Sequence, residues 1–343
     1  MLVIHDAGHA AHYPKNFLVA GALRPNPEVP RRADVLLQAA SAAGHRARAA
    51  EPHDLGVIAR IHTPEYLRFL ETAHARWSEI PGASAEVIPN MHPRSRGDGY
   101  PDSIVGQAGF HQTDTACPID AGTWGAVVGA ANCALTGASL LMQGEPVVYA
   151  LCRPPGHHAY ADQAGGFCYL NNAAIAAQQL RINAERVAVL DVDVHHGNGT
   201  QGIFYRRDDV LTVSLHSDPI AFYPFFVGYA QERGEGRGLG YNLNIPLPKG
   251  TGDAAYLKAL DRALHRIAAF RPQALVVALG LDAHEGDPFQ GLKITTAGFK
   301  EIAAAIAALK LPTLLVQEGG YMNDALGPNL VSFLSAFEGF FIA

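Results

Sequence analysis

The chain has 343 residues, of which 48% are hydrophobic and 17% are charged, a composition typical of a globular protein with a large core. Its formal net charge of −6 at pH 7 argues against a broad nucleic-acid-binding surface but does not exclude a local charged site. It has neither the basic start and apolar centre of a signal peptide nor a run of about 18 apolar residues, so we expect no membrane span.

Short apolar runs alternate with longer helical patterns along the chain. The predicted strands are residues 2–4, 145–151, 186–192, 210–216, 274–280 and 312–318. The predicted helices are residues 124–142, 170–182, 253–269 and 296–309. The strand runs are rich in Val and Leu without strict alternation, as expected for strands covered on both faces. This alternation of strands and helices predicts an α/β fold with a mainly parallel sheet flanked by helices.

We find no linker that would divide the chain, and we expect a single domain over residues 1–343. One long irregular segment, about residues 78–118, is rich in Pro, Gly and polar residues, and its length suggests a functional or interface loop. Its apolar side chains need burial, and a second copy of the chain is the commonest partner. These side chains are Ile88, Met91, Tyr100, Ile104 and Phe110. We therefore predict a homodimer in which this segment crosses to, or packs beside, the entrance of the partner subunit's functional site.

The cysteines are few and show no CxxC pair. They are Cys117, Cys133, Cys152 and Cys168. We expect them to be reduced and mostly buried, which is typical of a cytoplasmic protein.

Reactive side chains directly follow four of the predicted strands. His157 and His158 follow the second strand, and the sequence DVDVHHGNG (191–199) begins at the end of the third. Asp282 follows the fifth strand and Tyr321 follows the sixth. Because ligands bind outside the carboxyl ends of parallel strands, we expect one site to be built from these residues.

Asp193, His195 and Asp282 have the chemistry of a metal site. Two carboxylates and one imidazole leave a coordination position open, as in a catalytic zinc site. Asp193 and His195 are two residues apart and share one face of an extended segment. The aspartates could instead merely cap turns, but a cation would compensate the cost of burying them together. The same ligands also accept Fe²⁺ or Co²⁺.

His157 and His158 are candidates for acid–base catalysis. They follow a Pro-Pro-Gly turn, which stiffens their loop. Asp191 and Asn198 lie near the end of a neighbouring predicted strand and can fix the two rings. Since a carboxylate raises the basicity of an imidazole and an amide does not, the two histidines can be tuned differently. With Tyr321 as an oxyanion donor, the set predicts hydrolysis of an amide or an ester.

Several motifs resemble those of the zinc-dependent histone deacetylase superfamily, and most of all its bacterial acetylpolyamine amidohydrolases. They are RPPGHHA (153–159), GGFCYLNNAAIAA (165–177), DVDVHHGNGTQ (191–201) and EGGY (318–321). Residues 57–71, VIARIHTPEYLRFLE, also resemble an early helical segment of that family. The resemblance spans nearly the whole chain and implies an arginase/deacetylase-like α/β fold with an eight-stranded sheet.

The resemblance also implies roles for individual residues. The zinc ligands would be Asp193, His195 and Asp282, and the catalytic residues would be His157, His158 and Tyr321. Asp191 would orient His157, and Asn198 would orient His158. A structural potassium ion would lie near Asp191, Asp193, His195 and Ser214.

The bacterial branch implies a homodimer with a narrow substrate channel. Phe167 is the channel candidate from the resemblance, and Tyr223 with Phe225 could form an apolar wall or ordinary core packing. A cationic polyamine would favour acids near the entrance, and the 78–118 segment offers Glu79, Glu86, Asp98, Asp102 and Asp114. Val105 and Ala116 depart from the polyamine-type pattern, because they stand where we expect glutamates.

We therefore predict a zinc-dependent amidohydrolase that deacetylates small cationic amides such as acetylpolyamines, by attack of a metal-activated water. The alternatives are a broad acyl-lysine deacetylase and an amidase for other small amides. A non-catalytic binding protein with the same fold is a more remote alternative. Such a protein usually loses a metal ligand or the tyrosine, and this chain keeps all of them. We expect no nucleic-acid or membrane partner.

Overall fold

A sheet of eight strands, each parallel to its neighbours, forms the centre of the protein. The structure is a computed structural model that describes residues 1–97 and 99–342. In chain order its strands are β1 (Leu2–His5), β2 (Asn16–Val19), β3 (Ala22–Pro25), β4 (Arg46–Ala49), β5 (Val147–Ala150), β6 (Val187–Asp191), β7 (Val210–Ser217), β8 (Asn242–Leu247), β9 (Ala274–Leu279) and β10 (Thr313–Gln317). The order across the sheet is β4-β1-β5-β10-β9-β6-β7-β8, while β2 and β3 form a separate antiparallel hairpin. The predicted α/β fold with an eight-stranded parallel sheet is confirmed.

All six strands predicted from apolar runs are present, as β1, β5, β6, β7, β9 and β10. The two strands at the edges of the sheet, β4 and β8, were not recognised from their residues. All four residues of β4, with the sequence RARA, are exposed, and β8 contains two asparagines and a proline. An edge strand has a neighbour on one side only, so it lacks the continuous apolar run that marks a central strand.

Helices cover both faces of the sheet. They are α1 (Arg31–Ala42), α2 (Leu55–Ile58), α3 (Pro64–Ser78), α4 (Ile104–His111), α5 (Thr123–Met142), α6 (Asn172–Leu180), α7 (Asn198–Phe204), α8 (Asp253–Phe270), α9 (Thr296–Ala307) and α10 (Leu326–Ile342). The four predicted helices correspond to α5, α6, α8 and α9. One core forms between the sheet and α3, α5 and α6, and the other forms under α1, α8, α9 and α10. Consecutive strand residues alternate between the cores, so that Val148 belongs to the first and Tyr149 to the second.

Helix α5 is long and apolar enough, by length and composition alone, to cross a membrane. The sequence of α5 is not one continuous apolar run, because glycines, threonines and an asparagine separate its larger apolar residues. In the structure, 72% of the most apolar stretch of 18 residues in α5 is buried inside the protein. The helix packs against α6 and β5 and is therefore a core helix of this fold.

Part of the 78–118 segment packs against other parts of the same chain. It contains α4, whose Ile104 side chain is buried in the first core, and Val87 forms an antiparallel bridge with Ile119. The expectation that Ile104 requires a second subunit is therefore wrong, because it packs in the first core of its own chain. Met91 and Tyr100 remain 64% and 42% exposed. Elsewhere, all four cysteines are buried and unpaired, as expected.

Candidate active site

The loops after four neighbouring strands meet at one edge of the sheet. Strands β5, β10, β9 and β6 lie side by side. Their carboxyl ends lead into residues 153–158, 318–321, 281–287 and 192–198, respectively. Because the strands are parallel, segments that are far apart in the sequence are brought to the same place.

The three predicted metal ligands form one buried cluster. One ligand atom from each of Asp193, His195 and Asp282 lies within 4.8 Å of the other two. The Nδ1 atom of His195 is 3.1 Å from Oδ1 of Asp193 and 3.3 Å from Oδ2 of Asp282. Burial and the neighbouring Asp193 carboxylate raise the pKa of Asp282 to about 6. Oδ2 of Asp282 is buried without a hydrogen-bond partner in the described part of the chain, so this donor set fits a bound cation.

Glycine is needed beside this cluster because the backbone passes very close to the carboxylates. A Cβ atom on Gly319 would lie 2.0 Å from Oδ2 of Asp282 and 2.6 Å from Oδ2 of Asp193. The amide of Gly319 donates a hydrogen bond of 2.8 Å to Oδ2 of Asp193. The Gly-Gly pair that precedes Tyr321 therefore lets the β10 loop approach the predicted metal ligands.

The adjacent histidines have different partners and oppositely shifted pKa values. Nδ1 of His157 lies 2.9 Å from Oδ2 of Asp191, and Nδ1 of His158 lies 2.6 Å from Oδ1 of Asn198. Burial opposes protonation of His157, but the carboxylates of Asp191 and Asp193 outweigh it and raise its pKa to about 10. Burial and the neighbouring imidazoles of His157 and His195 hold the pKa of His158 well below its usual value. The surroundings thus favour the protonated form of His157 and the neutral form of His158.

A buried glutamate joins the loop of the two adjacent histidines to the loop that carries Tyr321. Oε2 of Glu318 accepts hydrogen bonds from the backbone amides of Gly156, at 2.6 Å, and His157, at 3.0 Å. The carboxylate fixes the histidine loop to the segment that carries Tyr321. Glu318 belongs to the EGGY motif, but its role was not recognised from the sequence, because its partners are backbone amides 162 and 161 residues away.

Arg32 on α1 donates two hydrogen bonds to the backbone of the same segment. Its Nε donates to the carbonyl oxygen of Gly320 at 2.6 Å, and its Nη2 donates to that of Glu318 at 2.8 Å. Its guanidinium lies 4.8 Å from the centre of the Tyr321 ring, and Glu28 neutralises it through a 2.6 Å ion pair. This buried support was also missed from the sequence, since neither residue lies near a recognisable motif.

Tyr321 is held by its backbone and leaves its hydroxyl available. Its amide donates to Oδ2 of Asp287 at 2.9 Å, and its ring packs 4.7 Å from that of Phe289. Within the described part of the chain, no hydrogen bond engages its hydroxyl. Burial raises the pKa of Tyr321 well above its usual value, so the phenol keeps its proton and can donate it in a hydrogen bond.

Asp193 and His195 of the predicted metal cluster, the two adjacent histidines and Tyr321 border one cavity of about 280 Å³. The predicted channel residues Phe167 and Tyr223 line it, and so does Phe225 nearer the surface. Phe17 and Phe289 also line it and were not recognised from the sequence. Phe17 comes from the hairpin of β2 and β3, far from any motif. The Phe167 ring lies between Phe17 and Tyr321, with ring centres 5.5 and 5.9 Å away.

Comparison with known proteins gives a consistent family. A family model described as the histone deacetylase domain matches residues 26–337. The chain is 47% identical to an acetylpolyamine amidohydrolase of Burkholderia pseudomallei, over 98% of each chain. It is 46% identical to acetylpolyamine amidohydrolase 1 of Pseudomonas aeruginosa, over 99% of each chain. The crystal structure of an acetylpolyamine aminohydrolase from Burkholderia pseudomallei matches with a TM-score of 0.96 and 45% identity, over 99% of each chain.

Proposed function

The chain belongs to the histone deacetylase family and is a hydrolase of amide bonds, and on this premise we propose that it removes acetyl groups from small cationic amines, above all acetylpolyamines. One observation carries the proposal. Asp193 and His195, the histidine pair and Tyr321 all line the same cavity, and Asp282 completes the predicted metal cluster with a ligand atom within 4.8 Å of those of Asp193 and His195. The names of the similar proteins support an acetylated polyamine as the substrate.

We propose that Asp193, His195 and Asp282 hold a zinc ion, with Fe²⁺ or Co²⁺ as alternatives. The two carboxylates and one imidazole provide three protein ligands and leave the side facing the cavity for substrate and water. When bound, such an ion would polarise the scissile carbonyl and lower the pKa of water.

The two histidines divide the remaining proton chemistry. Asn198 accepts a hydrogen bond from Nδ1 of His158, which leaves Nε2 unprotonated and able to take a proton from the attacking water. His158 can then deliver that proton to the nitrogen of the leaving amine. His157, kept cationic by Asp191, supplies positive charge beside the reacting carbonyl. The Tyr321 hydroxyl donates to the carbonyl oxygen as negative charge develops on it.

Phe167 and Tyr223 would enclose the methylene chain of the substrate. Both rings line the cavity. The Tyr223 ring packs edge-on against the His158 ring, with 4.9 Å between the ring centres. A slender alkyl chain buries apolar surface between such rings, while a branched acyl-amine would clash with them.

We also propose a structural potassium ion near Asp191, Asp193, His195 and Ser214. Asp191 and Ser214 are direct partners in the pairing of β6 with β7. Both border a small polar cavity of about 10 Å³, which has room for one ion or one water. Carboxylate and hydroxyl oxygens are suitable ligands for a hard monovalent cation.

The proposed activity can be tested with a substrate panel. We expect the protein to release acetate from N-acetylputrescine and other acetylated polyamines faster than from acetyl-lysine peptides or acetanilide. A chelator should abolish the activity and added zinc should restore it. Faster hydrolysis of acetyl-lysine peptides would favour the broader deacetylase, and acetate release that persists after exhaustive chelation would contradict the metal mechanism.

We propose that the protein is a homodimer in which the 78–118 segment lies beside the partner's cavity mouth. The exposed side chain of Met91 on this segment supports an interface there. Replacing Met91 with glutamate would put a charge into that contact, so we expect a monomer that accepts bulkier acetyl-lysine peptides. Ile182→Glu is the control, since Ile182 is 53% exposed but lies outside the segment. Light scattering would contradict the proposal if Met91→Glu stayed dimeric.

A cytoplasmic location is part of the same proposal. Four buried, unpaired cysteines support a reducing compartment, where disulfides rarely form.

A further inference from the structure

The acids of the 78–118 segment occupy very different positions. Glu79 and Asp102 are exposed, and Oε1 of Glu86 accepts a hydrogen bond from the backbone amide of Lys15. Asp98 lies outside the residues that the structure describes. Asp114 differs from the others, because its carboxylate lies directly behind the wall of the active-site cavity.

Several hydrogen bonds hold the Asp114 carboxylate in that place, including a weak one from the Cys117 thiol to Oδ1. Oδ1 accepts from the backbone amide of Ala116 at 2.8 Å. Oδ2 accepts from the backbone amide of Gly166 at 3.1 Å and from the Tyr223 hydroxyl at 2.6 Å. Ala116, Gly166 and Tyr223 all line the cavity, so the carboxylate is one residue layer away from a bound substrate.

The charge of Asp114 is not balanced by a cation. Among the described residues, no lysine, arginine or histidine forms an ion pair with it. Asp193 is the one carboxylate among the described residues that line the cavity, and its charge belongs to the metal cluster. The remaining wall is largely aromatic and apolar. Asp114 therefore places an unpaired carboxylate directly behind the part of the wall formed by Ala116, Gly166 and Tyr223.

We propose that Asp114, acting through Tyr223, is the residue that selects substrates carrying an ammonium group. An ammonium ion is attracted to the face of an aromatic ring, and a carboxylate that accepts a hydrogen bond from the Tyr223 hydroxyl makes that ring more electron-rich. The low dielectric of the wall strengthens the direct attraction between Asp114 and the cation. The proposal rests on the amide hydrolysis proposed above, and it names what this site recognises in the amine.

This arrangement also explains how a cation can be recognised without acids at positions 105 and 116. Val105 is partly buried against the first core, and Ala116 presents only a methyl group to the cavity. Asp114 is two residues from Ala116 and supplies the negative charge from behind the wall.

The test compares two substrates of the same length and shape. N-pentylacetamide carries a methyl group where N-acetylputrescine carries its ammonium. The measured quantity is the ratio of kcat/KM for N-acetylputrescine to kcat/KM for N-pentylacetamide. We expect Asp114→Asn to lower this ratio about tenfold, while kcat/KM for N-pentylacetamide stays within about twofold of the parent. Glu86→Gln removes a charge from the same segment but away from the wall, and we expect it to leave the ratio unchanged.

Salt provides a second measurement that needs no variant. Added salt screens the attraction between charges, so the ratio in the parent protein should fall as the ionic strength rises. A ratio unaffected by Asp114→Asn would overturn the role of Asp114, whatever the salt series showed. If Asp114→Asn abolished turnover of both substrates, the salt series on the parent would decide, and a flat series would reject the proposal. If the parent hydrolysed neither substrate, the proposed function itself would fail.

Discussion

Replacing Asp282 with alanine is expected to abolish tight metal binding and all measurable turnover while leaving the fold intact. Two ligands then remain, which are too few for a stable zinc site of this kind. The fold should survive because the substitution removes one of two buried carboxylates that repel each other, at the cost of the hydrogen bond from the Val194 amide.

Elemental analysis and thermal unfolding measure the two effects separately. The parent should contain one zinc per chain and lose thermal stability when it is chelated, because a ligand that binds only the folded state stabilises it. Asp282→Ala should contain no zinc, and its melting temperature should not respond to chelator. Asp324→Ala, at an exposed aspartate near Tyr321, should behave like the parent. Stoichiometric zinc in Asp282→Ala would show that the ligand assignment is wrong.

Tyr321→Phe is expected to lower kcat by about 10²- to 10³-fold with little change in substrate binding, as for the loss of one oxyanion donor. The hydroxyl borders the cavity, while the ring and backbone make the structural contacts with Phe289, Arg32 and Asp287. Phenylalanine keeps those contacts and removes only the donor.

Steady-state kinetics with acetylated polyamines, together with zinc content and melting temperature, give the required readouts. The control is Tyr241→Phe, which removes a hydroxyl from a ring that packs on Phe270 away from the cavity. We expect that variant to keep full activity. If Tyr321→Phe retained kcat within threefold of the parent, Tyr321 could not be the oxyanion donor.

Two sequence patterns were enough to predict the central strands and many of the candidate site residues. Continuous apolar runs identified the central strands, because both faces of those strands are covered. The metal-binding and acid–base candidates follow the runs directly, as with Asp193 and His195 after β6. Parallel strands bring their carboxyl ends to one edge, so short local motifs were enough to expect a shared site.

Only the tertiary structure decided which distant residues support and shape that site. Arg32 donates a hydrogen bond to the carbonyl oxygen of Gly320, which is 288 residues away in the sequence. Asp114 accepts a hydrogen bond from the Tyr223 hydroxyl, which is 109 residues away. In the sequence, Asp114 was one of several equivalent acids, and Phe17 belonged to no motif. Their roles depend on side-chain packing between elements remote in sequence, which neither local periodicity nor residue spacing encodes. The strand pattern thus determined at which edge of the sheet the candidate site lies. The packing of segments distant in sequence determined which side chains support that site and line its cavity.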